Sequence, residues 1–531
     1  MVPEEVPVLV VGGSLVGLSA SVLLASYGVR HILVERHRGT AIHPRAASFH
    51  QRTMEIFRSA GLQPAVEAAA RREFVQNGAI IAVDTLNGRE LACFYRSFNE
   101  GVEGLSPTSR LFITQIGLEP VLRERARALG AEHCYATELS GFEQDEEGVV
   151  AELRPRDGGP ARTVRARYLV AADGTHSFVR TRLGIDMTGR GSFAECVTIY
   201  FKADMRALIG ARNLSVVYVN QPGLLGFFRF SITGDAGFLA VFRVGPDPTA
   251  ARCAELVRAA LGVGAAFPVQ IDDVQPWSAT AATAAAFRRG RIFLAGDAAH
   301  IMPPTGGFGG NTGVADAHNL AWKLALVLQG RAGPGLLETY EAERRPQCEL
   351  TVEQAFTRYI KRVDPSLPAV NLAAPLDDAA IELGSVYDAG PALVEDPHHP
   401  SGRPGTRVPH VMLRRGDVPV STLDLPEQAF VLVAGVRGQD WVAAATALAA
   451  AGAPLKSCRV GSAELADPGG TFEASVGIGP DGAVLLRPDA VIAWRCVGPH
   501  PEARTELEDV LTRCLRLPSH PGSGTRWGAR R

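Results

Sequence analysis

The sequence lacks the features that mark several large classes of protein. Its eight cysteines include no pair with the C-x-x-C spacing of a metal or dithiol redox site. A formal net charge of −2 leaves no excess of basic residues for binding nucleic acid. The chain has no apolar run long enough to cross a bilayer, and it begins with acidic rather than basic residues. These absences predict a cytoplasmic protein with reduced thiols, no metal, no nucleic acid and no membrane partner.

The composition is that of an ordinary globular protein. Hydrophobic residues make up 46% of the chain and charged residues 21%. A length of 531 residues indicates more than one domain. The function must therefore be sought in local motifs rather than in overall composition.

The first motif is a strand–turn–helix–strand unit near the start of the chain. An apolar strand at residues 6–11 leads into a turn with Gly12, Ser14 and Gly17, and a second strand ends at Glu35. This arrangement is typical of dinucleotide binding, in which a helix N-terminus faces a pyrophosphate and the acidic residue accepts hydrogen bonds from a ribose. Ser14 stands where that fingerprint has its second glycine, and its small side chain leaves close approach of the phosphates possible but with less room.

A second motif occupies residues 291–328. A short apolar strand ends just before Asp297, a loop rich in proline and glycine follows, and a helix is predicted from about Thr312. A helix N-terminus beside a carboxylate suits an electron-rich ligand that carries hydroxyl groups. Taken alone, any connection between a strand and a helix can be rich in glycine.

A third motif, around residues 168–185, repeats this pattern in a shorter form. An apolar strand ends at Asp173 and Gly174, and a helix starts a few residues later. On this pattern alone, Asp173 could bind a ligand or simply cap the helix.

Together and in this order, the three motifs resemble those of the class A flavin-dependent aromatic hydroxylases, which share the para-hydroxybenzoate hydroxylase fold. The resemblance covers about residues 5–360. It implies a mixed α/β fold, in which a Rossmann-like FAD-binding domain carries an inserted β-sheet domain for the substrate. It also implies FAD as cofactor, NADPH or NADH as co-substrate, and molecular oxygen.

The resemblance assigns residues to the cofactor site. Contacts to FAD are expected from Gly12, Ser14, Gly17, Glu35, Arg36, Arg45, Gln115, Asp173, Gly174, Asp297, Pro304, Gly307, Gly309, Gly310 and Asn311. Within this set, Asp297 would bind a ribityl hydroxyl, and the 304–311 loop would line the isoalloxazine ring.

The substrate end is less well defined by the sequence. Phe228 and Arg229 lie in a run of strands rich in aromatics, which either line a cavity for an aromatic substrate or form core, with Arg229 turned to solvent. Where phenol hydroxylase has a catalytic aspartate, this chain has Ala47. His50 and Tyr218 are the substitute candidates for a catalytic base, although each could simply be a packed or surface residue.

The remaining residues extend the resemblance to a subgroup. Residues 361–410 are predicted to be an irregular linker, and 411–531 a thioredoxin-like domain without C-x-x-C, with a hairpin turn at Asp481–Gly482. Such an appendage is similar to that of phenol hydroxylase and of the tetracenomycin- and angucycline-type polyketide hydroxylases. The other boundaries expected are 1–180 with 275–360 for the FAD-binding domain and 181–274 for the substrate domain.

These expectations define a function with named alternatives. The chain is expected to hydroxylate a phenolic or polycyclic aromatic substrate, of polyketide type, through a flavin C4a-hydroperoxide. The same motifs allow Baeyer–Villiger insertion, inactivation of an antibiotic, or a non-catalytic FAD-fold binding protein. A homodimer is also left open.

Overall fold

The computed structural model describes residues 4–42, 47–245, 248–367, 370–387 and 390–518. The strands are β1 Glu4–Val11, β2 His31–Val34, β3 Ser48–Phe49, β4 Ala79–Val83, β5 Glu90–Tyr95, β6 Leu111–Phe112, β7 Glu132–Cys134, β8 Thr137–Gln144, β9 Val149–Pro155, β10 Arg162–Ala171, β11 Met187–Lys202, β12 Leu214–Gln221, β13 Leu224–Phe230, β14 Ala236–Phe242, β15 Gln270–Ala284, β16 Arg288–Arg289, β17 Ile292–Leu294, β18 His300–Ile301, β19 Ser385–Val386, β20 Leu393–Val394, β21 Met412–Arg415, β22 Val418–Ser421, β23 Phe430–Ala434, β24 Leu455–Arg459, β25 Ala483–Leu486 and β26 Ile492–Cys496.

The helices separate these strands into layers. They are α1 Leu15–Ser26, α2 Gln51–Ser59, α3 Gln63–Glu73, α4 Gln115–Ala128, α5 Phe178–Arg182, α6 Arg206–Ile209, α7 Ala250–Leu261, α8 Phe308–Leu328, α9 Glu338–Arg362, α10 Asp378–Leu383, α11 Gln439–Ala450, α12 Phe472–Val476 and α13 Ala503–Cys514, with 3-10 turns at Gly296–Ala298, Pro334–Leu337 and Thr422–Asp424. Within the described ranges, no helix has both the length and the apolar character needed to cross a membrane.

The first sheet brings the three sequence motifs to one edge. Its strand order is β16-β17-β10-β1-β2-β7, with β8 and β9 attached through β10. Strand β1 runs parallel to both β2 and β10, and β10 runs parallel to β17. Because parallel strands end on the same side of a sheet, the loops after β1, β10 and β17 converge there.

The second sheet forms the wall opposite that edge. Its order is β18-β15-β11-β14-β13-β12-β4-β5, and β11 pairs along most of its length with β15. One face of this sheet packs on α7 in a separate hydrophobic core. The boundaries differ from those we predict, because β4 pairs with β12 and β15 runs past residue 275. Such long-range pairing leaves no signature in local sequence.

The C-terminal unit is a four-stranded sheet, β24-β23-β25-β26, with α11 packed against it. Strand β23 is parallel to β24 and antiparallel to β25. Alternate residues of β23 face opposite sides, so that Phe430 packs edge-to-face on Trp322 of α8 while Val431 belongs to the unit's own core. This contact joins the unit to the FAD-binding part of the chain.

Two local predictions are wrong. Helix α8 begins at Phe308 rather than near Thr312, because Gly307 adopts a left-handed φ of 69° as its N-cap and the following glycines form its first turn. Glycine's low helix propensity conceals that turn in the sequence. The C-terminal hairpin turns at residues 487–491, between β25 and β26, whereas Asp481 and Gly482 precede β25.

Candidate functional site

One cavity of about 1990 Å³ extends from the strand ends of the first sheet to the face of the second. Most of the predicted site residues line it: Gly12, Ser14, Glu35, Arg36, His50, Gln115, Asp173, Gly174, Tyr218, Arg229, Asp297, Pro304, Gly307, Gly309 and Gly310. Gly17, Asn311 and Phe228 do not line it. Arg45 lies outside the described residues, so its predicted contact with the cofactor stays a prediction.

The glycine turn after β1 allows very close packing. A Cβ at Gly12, whose φ is 106°, would lie 2.2 Å from the carbonyl oxygen of Ala172, and a Cβ at Gly17 would lie 1.8 Å from the oxygen of Gly12. Glu35 is held at the end of β2 because its carboxylate accepts hydrogen bonds from the backbone N–H groups of Gly13 at 2.6 Å and His37 at 2.8 Å. Gly17 therefore acts through helix packing rather than by facing the cavity.

Ser14 and Gln115 meet at a buried carboxylate that we do not predict from the sequence. The Ser14 hydroxyl donates to Oε1 of Glu119 at 2.6 Å, and the Gln115 amide lies 3.3 Å from both of these oxygens. Glu119 is a fully buried side chain on α4. It follows Gln115 by one helical turn, which is the signal that could have identified it.

Ser177 is the N-cap residue of α5, and the first turn of that helix also bonds to Asp173, which lines the cavity. The Asp173 carboxylate accepts hydrogen bonds from the Ser177 hydroxyl at 2.6 Å and from the backbone N–H of Val179 at 3.1 Å. Burial raises the pKa of Asp173 despite these donors. Gly174, with φ of 83°, has open space around its Cβ position, so the backbone is accessible to a ligand on that side.

Asp297 is placed by a buried ionic cluster beneath it. It lies exposed in the 3-10 turn after β17, near the Thr175 hydroxyl at 3.4 Å. Asp316 of α8 accepts the backbone N–H of Gly296 at 3.0 Å, the His300 ring at 2.7 Å and Arg344 Nε at 2.8 Å. These contacts hold the loop that carries Asp297.

The same cluster has the donor types of a metal site, since one ligand atom each of His300, Asp316 and Cys348 lies within 4.8 Å of the others. Burial opposes the charging of His300, but Cys348 and Asp316 raise its pKa well above 6.5. Because Arg344 and this imidazolium already neutralise Asp316, a further cation would meet repulsion. The cluster is better explained as a structural ion pair.

Asn311 has a different role from the one predicted. Its side-chain oxygen accepts the backbone N–H of His50 and the Thr53 hydroxyl, and its amide donates to the carbonyls of Ser48 and Gly307. These four bonds use its polar atoms fully. Asn311 therefore joins α8 to the segment before α2 instead of lining the cavity.

The two candidate bases, His50 and Tyr218, are both buried. The His50 ring contacts the Gly306 carbonyl at 3.1 Å, and burial lowers its pKa. Burial raises the pKa of Tyr218, so its hydroxyl stays protonated at neutral pH. The geometry favours positioning roles for both side chains, and their catalytic assignment stays a prediction.

The aromatic wall corrects the substrate prediction by one residue. Phe228 is buried in the core formed with α7, whereas its neighbour Phe227 lines the cavity. Alternation along β13 turns successive side chains to opposite faces of the sheet. Arg229 also lines the cavity and is only 4% exposed, so it does not point to solvent.

Arg229 is an unusual buried cation. Its guanidinium carbon lies 4.3 Å from the ring centroids of both Phe74 and Phe112, and its Nε has no hydrogen-bond partner among the described residues. Burial lowers its pKa to about 9, so it still carries charge at neutral pH. An incompletely satisfied cation in a cavity wall favours a ligand with negative or electron-rich atoms.

The segment predicted to be a linker supplies part of the cavity wall. Helix α10 presents Asp378 and Glu382, four residues apart on one face, and both line the cavity. Glu382 pairs with Arg110 at 2.7 Å, and Asp378 accepts from Arg358 Nε at 2.8 Å. Two carboxylates at i and i+4 on a short capped helix are the sequence signal for this face.

Tyr95, at the end of β5, completes this polar strip. Its hydroxyl donates to Oδ2 of Asp378 at 2.5 Å, and it lines the cavity. Burial raises the pKa of Tyr95, while Arg358 outweighs burial and lowers the pKa of Asp378. Tyr95 is therefore a neutral phenol whose proton is directed to Asp378 and whose oxygen can accept another hydrogen bond.

The cavity fits FAD at its strand-end half. The turn at Gly12 has no room for a side chain, the N-terminus of α1 opens into the cavity, and Glu35 stands at the end of the adjacent strand. Asp297 and the 304–310 loop lie at the α8 end, and Arg36 is exposed at the rim. These are the donors and acceptors that a dinucleotide requires.

Comparisons with known proteins agree with this geometry. Residues 5–355 match the family described as FAD binding domain, and residues 401–518 match the aromatic-ring hydroxylase C-terminal family. The chain is 48% identical to a 4-methyl-5-nitrocatechol 5-monooxygenase from Burkholderia, over 96% of this chain and 98% of that protein. It is 39% identical to the tetracenomycin A2 monooxygenase-dioxygenase of Streptomyces glaucescens, over 99% of each.

A solved structure shows the same architecture throughout. The ternary complex of aklavinone-11 hydroxylase with FAD and aklavinone superposes with a TM-score of 0.92 at 39% identity, covering 97% of this chain and 100% of that one. The mixed α/β fold, with its FAD-binding part and C-terminal unit, is thereby confirmed. The chain belongs to the FAD-dependent aromatic-ring hydroxylases, and it is a flavin monooxygenase.

Proposed function

We propose that this enzyme uses NADPH or NADH and molecular oxygen to hydroxylate a phenolic, polycyclic aromatic substrate of the polyketide type. The observation that carries this proposal is the single cavity of about 1990 Å³ with two chemically different halves. A pocket for one small ligand reaches about 1000 Å³, so the cavity has room for the cofactor and a second large molecule.

The residues of each half have distinct tasks. FAD, when bound, supplies the redox chemistry that accepts hydride and activates oxygen. At the substrate half, Phe227, Tyr218 and Phe242 present aromatic surface for a flat ring system. Arg229 stabilises electron-rich atoms, and its burial excludes water from them.

The polar strip formed by Tyr95, Asp378 and Glu382 recognises hydroxyl groups. Since Asp378 holds the Tyr95 proton, the Tyr95 oxygen is directed to accept a hydrogen bond from a ligand hydroxyl. A hydroxyl on the substrate ring is also what makes its carbon electron-rich enough to take up oxygen. The strip therefore favours phenols over unsubstituted rings, by differential hydrogen bonding.

The relatives suggest two sizes of substrate, which an experiment can separate. Purified holoenzyme would be given NADPH or NADH with either 4-methyl-5-nitrocatechol or aklavinone, while cofactor oxidation and product mass under isotopic oxygen are measured. We expect aklavinone to stimulate oxidation and gain one oxygen atom as a ring hydroxyl. Stimulation by the nitrocatechol alone would replace the polyketide class with a monocyclic one, and ring expansion would indicate Baeyer–Villiger chemistry.

The flavin assignment has its own test. Asp297→Ala should lower the flavin content of the purified protein, because it removes the carboxylate at the cavity edge. Full flavin content in that variant would contradict the role of Asp297. Sedimentation of the wild-type holoenzyme would test the homodimer that we also propose, and fractionation of cells would test the cytoplasmic location.

A further inference from the structure

Ser14 occupies an unusual chemical position at the start of α1. It is the N-cap residue of that helix, yet its side chain accepts no capping hydrogen bond from the first turn. Serine at an N-cap ordinarily accepts a backbone N–H two or three residues later. Here its hydroxyl is turned to Glu119, at 2.6 Å from Oε1. The Ser14 hydroxyl is thus directed to α4 rather than to the first turn of its own helix.

Glu119 is a buried carboxyl on α4. Its side chain is 0% exposed, and its other oxygen accepts the backbone N–H of Ala41 at 2.6 Å. Among the described residues, none with a positive charge forms an ion pair with it. Burial accordingly raises the pKa of Glu119 above 4.5, although the hydrogen bonds from Ala41, Ser14 and the backbone of Leu15 oppose the shift.

The charged groups that the structure describes around this carboxyl do not neutralise it. Glu35, at the end of β2, adds a like charge that raises the pKa of Glu119 further. Tyr135, after β7, faces it with a phenol that burial keeps protonated. Arg123, one turn along α4, stacks on the Tyr135 ring with its guanidinium carbon 4.4 Å from the centroid. A ligand pyrophosphate would bring more negative charge to the same side.

The Ser14 hydroxyl has a single proton, so its direction depends on Glu119. When Glu119 is ionised, the hydroxyl donates to it, and only serine lone pairs remain for the cavity. When Glu119 is protonated, the carboxyl can donate to Ser14 Oγ across the same 2.6 Å contact. Ser14 can then donate its own proton into the cavity, where a phosphate oxygen accepts it.

We propose that Glu119 carries a proton in the FAD-bound enzyme and that Ser14, supported by this carboxyl, donates a hydrogen bond to the FAD pyrophosphate. When FAD binds, the Glu119 carboxylate takes up one proton from solvent. The O–H bond of this carboxyl is the only covalent bond formed. Serine at the second glycine position thus contributes a ligand contact that glycine lacks. Glu119 is a positioning residue, since it acts on FAD through Ser14.

The proposal sets the sign of a pH dependence. FAD raises the pKa of Glu119, so affinity is greatest below the pKa that Glu119 has without FAD. As pH rises from that value to the pKa with FAD, affinity falls by up to tenfold per pH unit. Above the second value it is constant again. Glutamine at position 119 imitates the protonated carboxyl at every pH, because its amide can donate to Ser14 and its oxygen can accept from Ala41.

The test measures release of FAD from diluted holoenzyme by flavin fluorescence, between about pH 5 and about pH 9. The wild type should lose affinity with rising pH, whereas Glu119→Gln should keep the low-pH affinity throughout. Glu124→Gln, on the exposed side of the same helix, is the matched control and should follow the wild type. Parallel pH profiles for wild type and Glu119→Gln would overturn the proposal, as would weak binding of Glu119→Gln at every pH.

A second variant keeps the proposal testable if Glu119→Gln folds poorly. Ser14→Ala removes the donor but leaves the Glu119 contact with Ala41 in place. Its affinity for FAD at low pH should fall about tenfold or more, the loss of one hydrogen bond to a charged group. At high pH, where the Ser14 proton points to Glu119, the loss should be much smaller. Equal losses at both pH values would refute the switch in hydrogen-bond direction.

Discussion

Gly17→Ala tests whether the packing of α1 on β1 determines FAD affinity. An added Cβ would lie 1.8 Å from the carbonyl oxygen of Gly12, and ordinary contacts of this kind begin at 3.4 Å. To restore ordinary contact, the helix start and the Gly12 turn must therefore separate by 1.6 Å, the difference between these two distances. Neither group is the end of a flexible side chain, so rotation of a side chain cannot relieve the contact.

The displacement would break hydrogen bonds to the pyrophosphate. Such bonds are about 2.9 Å long and weaken steeply when stretched beyond about 3.2 Å. A hydrogen bond to a charged group contributes about 1.5–3 kcal/mol, so the loss of two removes about 3–6 kcal/mol. This corresponds to a loss of at least about 100-fold in FAD affinity. Overpacking would also destabilise the fold by about 1–3 kcal/mol.

The assay is the flavin-to-protein absorbance ratio of the purified variant, followed by fluorescence titration with FAD. Gly28→Ala, at the other end of α1, provides the control. Gly28 has a φ of 70° and open space around its Cβ position, so alanine there strains the backbone without touching β1. We expect Gly28→Ala to lower stability slightly and to retain FAD. Wild-type FAD affinity in Gly17→Ala would refute the reasoning.

Three further predictions concern the substrate half and the C-terminal interface. Phe228→Ala should lower the unfolding free energy by about 3–5 kcal/mol in denaturant titrations, because Phe228 is buried in the core. Phe227→Ala should mainly raise the KM for aromatic substrate, because Phe227 lines the cavity. The reverse pattern would contradict the assigned faces. Tyr95→Phe should raise KM for a hydroxylated substrate about tenfold and leave flavin content unchanged, and an unaltered KM would exclude its role as hydrogen-bond acceptor. Burial raises the pKa of Glu55, but Arg407 and Arg52 outweigh burial and lower the pKa to about 2, so the ionised carboxylate stabilises the fold fully above pH 4.5 and loses this effect as pH falls towards 2. Glu55→Gln should therefore remove up to about 3 kcal/mol of acid-sensitive stability, measured by urea titrations at pH 7 and pH 3. An unchanged acid sensitivity would contradict the prediction.

The sequence alone determined the family and the motifs that line the strand-end half of the cavity. Backbone glycines, a strand-end acid and a helix N-terminus are local features, so their spacing near Gly12, Asp173 and Asp297 is readable along the chain. The parallel order of β1, β10 and β17 then places these local units together. The start of α8 was misplaced because its first turn consists of glycines, whose propensity argues against a helix.

The tertiary structure alone decided the substrate half and the polar groups behind the cofactor. Whether Phe227 or Phe228 faces the cavity depends on the register of β13 with its neighbours, since a shift of one residue exchanges the two faces. Asp378 reaches Tyr95 across 283 residues, and Glu119 reaches Ser14 across 105. Such contacts are set by how the sheets and the 361–410 segment pack, and no periodicity along the chain encodes them.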